Sequence, residues 1–429
     1  MADSRISNLT AATTPLTGTE EIPVVQGGVT TKATAQDIAD LAGGGGGGIF
    51  GIADAAGTYT YYSDLGTAIA AATVGQTIQL FTNYTEISSI VVTLKTGVDI
   101  NLNGHTYEYS TADTNDVLTD GGIAAIATIF NGTIKRTGSS APTNTAGVGL
   151  KVSNASSQIT LQGVTVIAED GSNTCYISAG KLSGGYFRQI GAVAGSSIAF
   201  WGQGGLVVID SVNVHADSKY SRLDSGKISN SYFRSDGNWG IYLISGEAHN
   251  ITGYSTANDG LLVSTAKVFN STGISTAAIG LETGAGELYN CSGYSTANAG
   301  MLIGDKAFNC TGRSTASFGI NCGSASETYN CTGWSSAQLA IFSRGRIVKT
   351  SAICTWNNAA GHGFSNVENN DEIVDCYAEV ANASAYGVNA PTTSPYVTGF
   401  SGRGMTTLLN LSSNAQTNTE DTFGNILIG

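Results

Sequence analysis

From residue 227 onward, hydrophobic and polar positions do not recur at helical spacing. They alternate in short stretches, each closed by Asn or Gly, which is the pattern of brief half-buried strands. Aligned on one asparagine, the copies read Asn230-Ser-Tyr-Phe, Asn250-Ile-Thr-Gly, Asn270-Ser-Thr-Gly, Asn290-Cys-Ser-Gly, Asn309-Cys-Thr-Gly and Asn330-Cys-Thr-Gly, at spacings of 20, 20, 20, 19 and 21. Ten residues after the asparagine stands Gly240, Gly260, Gly280 or Gly300 (in the next copy Gly319), followed by an apolar column of Ile241, Leu261, Leu281, Met301, Ile320 and Ile341. A period of 20 is too short for a propeller blade, and the copies lack the leucine-rich-repeat pattern. Short strands between Asn and Gly turns fit one coil of a solenoid, so the predicted fold is all-β, a right-handed parallel β-helix. Within a coil, strict alternation puts His249, Phe269, Tyr289, Phe308 and Tyr329, just before the asparagine, on the interior face. The same alternation puts there the residue just after it (Ile251, Ser271, Cys291, Cys310, Cys331).

Charge patterning supports stacking. Three residues before each asparagine stand Lys227, Glu247, Lys267, Glu287, Lys306 and Glu327, alternating in sign without a break. Stacked coils give each charge opposite neighbours, so the ladder is read as setting register and solubility. Earlier coils leave fainter traces at Asn103-Gly104, Asn131-Gly132 and Gln162-Gly163. Upstream, Ser63 to Thr73 reads as a short helix and Gly75 to Phe81 as the first strand; the helix caps the open end of the solenoid.

Composition adds boundaries. Gly43 to Gly48 is an unbroken glycine run that acts as a tether, so residues 1–42 form a separate module, 43–50 a linker, 51–395 the solenoid and 396–429 a C-terminal cap or trimerisation segment. In the module, Glu21 to Gln26 and Val29 to Thr34 read as a hairpin around Gly27-Gly28. With 19 Lys+Arg against 32 Asp+Glu, the acidic balance disfavours nucleic acid and anionic membranes, and no apolar run is long enough to cross a bilayer. The start of the chain lacks the pattern of a secretory signal peptide. Seven cysteines without a Cys-x-x-Cys pair read as buried reduced thiols.

The stretch Arg5 to Glu20, continuing through Val24-Val25-Gln-Gly-Gly-Val-Thr-Thr-Lys32, resembles the N-terminal segment common to tail fibre and tailspike proteins of tailed bacteriophages. The cap helix and Asn-Gly coils resemble the pectate-lyase-like parallel β-helix superfamily. Together the two resemblances cover most of residues 5–390. They imply a homotrimer, a virion anchor in residues 1–42 that meets a baseplate, tail or capsid protein, assembly in the host cytoplasm, and a shaft that contacts the host surface. The fold does not itself give the function.

Polysaccharide hydrolysis needs two carboxylates at defined separation, and lyase chemistry a base with charge neutralisation. Acidic candidates outside the ladder include Asp210, Asp217, Asp224, Asp236, Asp259, Glu368, Asp371, Glu372, Asp375 and Glu379, and Glu368 to Glu372 is the one dense run. Family lyases carry an aspartate calcium cluster with a basic catalytic residue, and no such set stands out, so no catalytic residue, metal or cofactor is assigned. His105, His215, His249 and His362 lack metal-ligand spacing. Binding chemistry has the better case. Four residues after the asparagine, Tyr254, Ile274, Tyr294, Arg313 and Trp334 share the outward parity, and aromatics along a rod suit sugar rings or a neighbouring chain; Tyr254, Tyr294, Arg313 and Trp334 are the candidate ligand-binding residues. Trp201, Trp239 and Trp356 are weaker candidates. The reading is a virion fibre or spike subunit that adheres to host surface polysaccharide without chemistry. A depolymerase of capsule or lipopolysaccharide glycan, and a capsid head fibre or decoration protein, stay open as alternatives.

Overall fold

A computed structural model of the chain describes residues 21–26, 29–34, 48–138, 147–169, 173–191, 198–342, 344–365, 371–390, 395–405, 407–411, 416–420 and 426–427. The glycine run up to Gly47, most of residues 1–42 and Glu368 lie outside the described residues. Within the N-terminal segment, Glu21–Gln26 and Val29–Thr34 pair antiparallel as the expected hairpin.

The rest is a parallel β-solenoid. In the repeat region each coil has three strands, as in Lys227–Ser229, Tyr232–Ser235 and Ile241–Leu243, and each pairs in parallel with its counterpart one coil on. The third strands form one 15-stranded sheet that runs from Val92–Thr93 to Thr407–Leu411. Parallel pairing continues past residue 395, through Tyr396–Thr398 and Ser401–Arg403. The core fills the tube: Ile241, Leu261, Leu281, Met301, Ile320 and Ile341 stack in register, all essentially buried. At the N-terminal end the helix Leu65–Ala71 is capped by Asp64, whose Oδ1 accepts from Thr67 N at 2.7 Å, and it buries Leu65, Ala68 and Ile69. Beside it Phe50–Ala53 pairs antiparallel with Thr77–Leu80, so the first strand of the ladder is not left as a bare edge.

One backbone feature organises every coil. The repeat asparagines are left-handed, with φ of 49° at Asn230, 54° at Asn250, 50° at Asn270, 54° at Asn290, 56° at Asn309 and 54° at Asn330. The column continues upward through Ser211 and downward through Lys349, Asp375 and Gly399, also at positive φ. Asn tolerates this region better than most residues, and its amide adds a ladder: Asn250 Nδ2 donates to Asn230 Oδ1 at 3.1 Å, Asn290 to Asn270 at 3.2 Å and Asn330 to Asn309 at 2.8 Å.

The corner overturns the expected interior aromatic column. A left-handed residue interrupts the two-residue alternation, so the asparagine and the residue before it both point outward, and the residue two before (Ala248, Val268, Leu288, Ala307) fills the tube. His249, expected inside, has a side chain 42% exposed. The rings do stack, but on the outer surface: His249, Phe269, Tyr289, Phe308 and Tyr329 follow one another at 4.6, 4.9, 5.0 and 5.2 Å with planes within 10° of parallel.

The corner also explains the buried Ser, Thr and Cys column that follows it. The asparagine N–H reaches the next coil, as Asn250 N to Phe269 O at 3.0 Å, whereas the N–H two residues on reaches the previous coil, as Thr272 N to Ile251 O at 2.9 Å. Between them an amide faces a side chain. Ile251 N donates to Ser271 Oγ at 3.1 Å, and Cys291 N and Cys310 N donate to the sulfurs of Cys310 and Cys331, each at 3.4 Å. A second hydroxyl column is fully buried: Ser255 Oγ accepts from Asn258 N at 2.8 Å, and Ser275 Oγ donates to Asn258 O at 2.6 Å, tying each turn to the coil beside it. All seven cysteines are free and buried, and burial pushes the Cys322 and Cys376 thiols up to about 12. Close glycine packing thins the tube: a Cβ on Gly260 would run into the Ile274 backbone, and one on Gly253 into the Gly260 carbonyl.

Replacing Asn290 tests the corner. Asn290→Gly keeps the left-handed backbone and loses only the amide ladder. Asn290→Ala adds a strain of about 1–2 kcal/mol, and its thermal unfolding midpoint is expected to fall below that of the Gly variant. Equal midpoints would show that the backbone conformation is not what the position selects.

Candidate functional site

The outward face around the asparagine corner repeats one row per coil. On one side of the corner lie the charge ladder and the stacked aromatics; on the other a hydroxyl column of Thr252, Thr272, Ser292, Thr311 and Thr332, then Tyr254, Ile274, Tyr294, Arg313 and Trp334. Strand register holds each column because successive coils pair residue for residue.

In the charge ladder Lys227, Glu247, Lys267, Glu287, Lys306 and Glu327 are direct register partners, and the alternation runs on through Arg346 and Glu372. Nζ of Lys227 lies 2.9 Å from Glu247, Nζ of Lys267 3.2 Å from Glu287, and Arg346 Nε 2.6 Å from Glu372. The Lys227 hydrogen bond and charge hold the Glu247 carboxyl below its ordinary value, and a hydrogen bond from Tyr289, then Lys267, do the same for Glu287.

Register brings Tyr254, Tyr294, Arg313 and Trp334 into one column, and cations fill its gaps. The Arg313 guanidinium stands 4.3 Å from the Trp334 ring centroid and 5.9 Å from that of Tyr294, and Arg234 stands 5.3 Å from that of Tyr254. Stacking along the axis turns ring faces toward neighbouring coils and ring edges toward solvent. What this face offers a ligand is therefore edges, hydroxyls and the exposed Arg313, and one face of Trp334 is already taken.

The acidic candidates are engaged elsewhere. Asp210 accepts from Ser229 Oγ at 2.6 Å and Asn230 Nδ2 at 2.8 Å, at the head of the asparagine ladder, and those hydrogen bonds lower its carboxyl. Asp224 binds Arg222 and the Trp201 indole, Asp371 accepts from Gly345 N at 2.7 Å, Glu379 pairs with Arg403 at 2.8 Å, and Asp375 occupies a corner position. His362 Nδ1 accepts from Tyr386 N at 3.1 Å. His215 and Asp217 on one coil and Asp236 on the next come together closely enough for a metal ion. Their carboxylates already have partners, Asp217 in Arg188 and Asp236 in Arg234 at 2.8 Å and the His215 ring at 3.0 Å, so the donor set does not call for a cation.

A second outward surface escaped the repeat analysis. On the 15-stranded sheet Tyr176, Trp201 and Tyr220 pack with Val148 and Ile198 into a small apolar cluster outside the tube, joined by Trp239 and Tyr242. Ring centroids lie 5.3 Å apart for Tyr176 and Trp201 and 5.1 Å for Tyr220 and Trp239. Val148, Tyr176, Ile198, Trp201 and Tyr220 precede the regular repeat, whereas Trp239 and Tyr242 belong to its first copy. Trp356 packs against the main core.

No family model matches the chain, and no curated protein does. Among solved structures the chain is similar to the A-module of the mannuronan C-5 epimerase AlgE4 of Azotobacter vinelandii (15% identity, 83% of this chain and 88% of that one, TM-score 0.26). It is also similar to PfbA, a surface adhesin of Streptococcus pneumoniae (12% identity, 85% and 90%, TM-score 0.23), and to ORF18 of Geobacillus virus E2 (12%, 94% and 68%, TM-score 0.18). At these TM-scores none of them bears on the chemistry of this chain, and the solenoid stands on its own strand pairing.

Lys267→Glu would place three carboxylates in successive register positions, with Glu247 on one side of the new side chain and Glu287 on the other. The thermal midpoint is expected to drop at low salt and to recover at high salt, because the repulsion is exposed and screened. A drop unaffected by salt would remove the ladder from the register argument.

Proposed function

We propose that the chain is a subunit of a homotrimeric virion fibre or spike of a tailed bacteriophage, attached to the particle through residues 1–42, whose shaft adheres to host surface polysaccharide without cleaving it. The observation that supports adhesion is the repeated outward row of residues 247–335, an aromatic edge, an asparagine, a hydroxyl and, in every coil but that of Ile274, a second aromatic or cationic side chain. A rigid surface that presents the same row at every coil suits a polymer of repeating units, because each added coil adds a similar weak contact. The virion part of the reading rests on the resemblance carried by residues 5–32. Binding without cleavage is favoured because the described acidic candidates named above are held by cations, backbone amides or corner geometry, rather than facing each other across an open groove at the roughly 5–9.5 Å separation of glycosidase pairs.

The test incubates purified protein with host capsule and lipopolysaccharide glycan, following bound material and glycan length together. Retention at unchanged length is expected, with Trp334→Ala weakening binding by roughly two- to tenfold, the effect of losing about 0.5–1.5 kcal/mol of aromatic contact. Glycan fragments of defined length would overturn the non-catalytic reading. Neither binding nor shortening would leave a structural fibre or capsid decoration.

A further inference from the structure

Each coil of the repeat has three outward strand faces. Two carry charges, hydroxyls and cations on rings; the third is apolar. On the 15-stranded sheet the outward column reads Tyr242, Leu262, Glu282, Leu302, Asn321 and Phe342 in direct register. Three residues before each of these stands a second column, Trp239, Asp259, Ile279, Ala299, Phe318 and Leu339, so Asp259, Glu282 and Asn321 are the polar members of the two. The columns touch: ring centroids lie 5.7 Å apart for Trp239 and Tyr242 and 5.0 Å for Phe318 and Phe342. Leu262, Ile279, Leu302, Phe318 and Phe342 are half-buried within the chain, so each still turns apolar surface outward.

The stripe has ends. Upstream it joins the cluster of Tyr176, Trp201 and Tyr220, before which the outward column holds Lys151. Arg222, between Trp201 and Tyr242, lies 5.5 Å from the Trp201 ring and is bound to Asp224. After Phe342 the column turns polar at Ser365, Asn389 and Asn410. From Cys175–Ile177 to Ile341–Phe342 the sheet has nine strands, which at the usual strand spacing is a stripe about 40 Å long and about 10 Å wide. That is on the order of 400 Å² of apolar face, an extent that in a soluble protein marks an interaction surface. With the turns on either side as a rim, such as those of Asn258 and Ser264, a contact about 20 Å wide over this length reaches the roughly 800 Å² per partner that a stable interface buries.

We propose that this stripe is the surface on which copies of the chain meet, parallel and with each coil at the height of its counterpart, the 15-stranded sheets turned toward a common axis and the asparagine-corner faces turned away from it. This names the contact face of the trimer proposed above and rests on that reading. A partner for the whole stripe has to be apolar over the same length and at the same step, and a copy at equal height meets both conditions because it carries the same columns. The solenoid starts at Gly48, beside Tyr61 at its N-terminal end. Parallel copies therefore bring residues 1–47 to one end, where a shared attachment needs them, whereas antiparallel copies send them to opposite ends. Equal height also gathers the Glu282 side chains. Burial already holds that carboxyl above its ordinary value, so it enters the contact with less charge to desolvate than an exposed carboxylate.

The test uses the full chain, with sedimentation for its oligomeric state and a short bis-maleimide to link thiols at matching heights. The seven native cysteines are buried, and the unmodified protein serves as the blank. Leu302→Cys is expected to give a linked dimer on a denaturing gel, and Thr272→Cys, on the corner face, is expected to stay unlinked. Leu302→Lys is expected to weaken assembly by about tenfold or more while the β circular-dichroism signal is unchanged. A trimer in which Leu302→Cys links no better than Thr272→Cys would place the contact on another face, overturning this proposal and leaving the trimer. Unmodified protein that sediments as a monomer would overturn both, and the stripe would then belong to a different partner.

Discussion

The structure depends on a single backbone conformation repeated down one edge of the tube. At each corner one residue takes positive φ, and wherever the repeat is regular that residue is asparagine. The choice follows from two requirements met at once: a residue that enters the left-handed region at modest cost, and a side chain that can pass a hydrogen bond from coil to coil. Glycine meets the first alone. It is used at Gly163 and Gly184, where the bent strands Gln158–Ala168 and Gly180–Gln189 turn without an amide ladder.

From that corner follow features that would otherwise look unrelated. Reversal of the amide direction leaves one N–H without a carbonyl, so an interior column that hydrophobicity alone would fill with Val or Ile takes Ser, Thr and Cys. Here cysteine serves as a small buried acceptor. The parity shift puts aromatic and charged columns side by side on the outer surface, where each ring stacks on the ring one coil away and each charge meets its opposite there. The solenoid is thereby solvated and kept in register by the same side chains that a ligand would meet.

That coupling shapes how the surface works. A face whose rings stack on each other and whose arginines lie on those rings has little conformational freedom left to lose, so under the adhesion proposed above affinity would come from many small preorganised contacts along the axis. Local exceptions stand out against this regularity. In the copy that begins at Asn270, Ala278 stands where the neighbouring copies have Asn258 and Asn298, and the Ile279 amide is met by the Asp259 carboxylate from the coil before; near Trp201 the sheet face gathers aromatics from successive coils.

Much of this was legible in the chain itself. The 20-residue period, the apolar column from Ile241 to Ile341 and the alternating charges from Lys227 to Glu327 determine a stacked parallel solenoid, because strand pairing between identical coils is the arrangement that aligns all three columns. They also determine that Tyr254, Tyr294, Arg313 and Trp334 share a face. Tertiary structure alone decided which way the neighbouring aromatics point, since a single left-handed residue resets the inside–outside alternation and φ is not written in a hydrophobic pattern. It alone decided that Arg313 lies on Trp334, and that Asp236 meets His215 and Asp217. Those contacts pass between coils through particular side-chain conformations, and their geometry exists only once the coils are stacked.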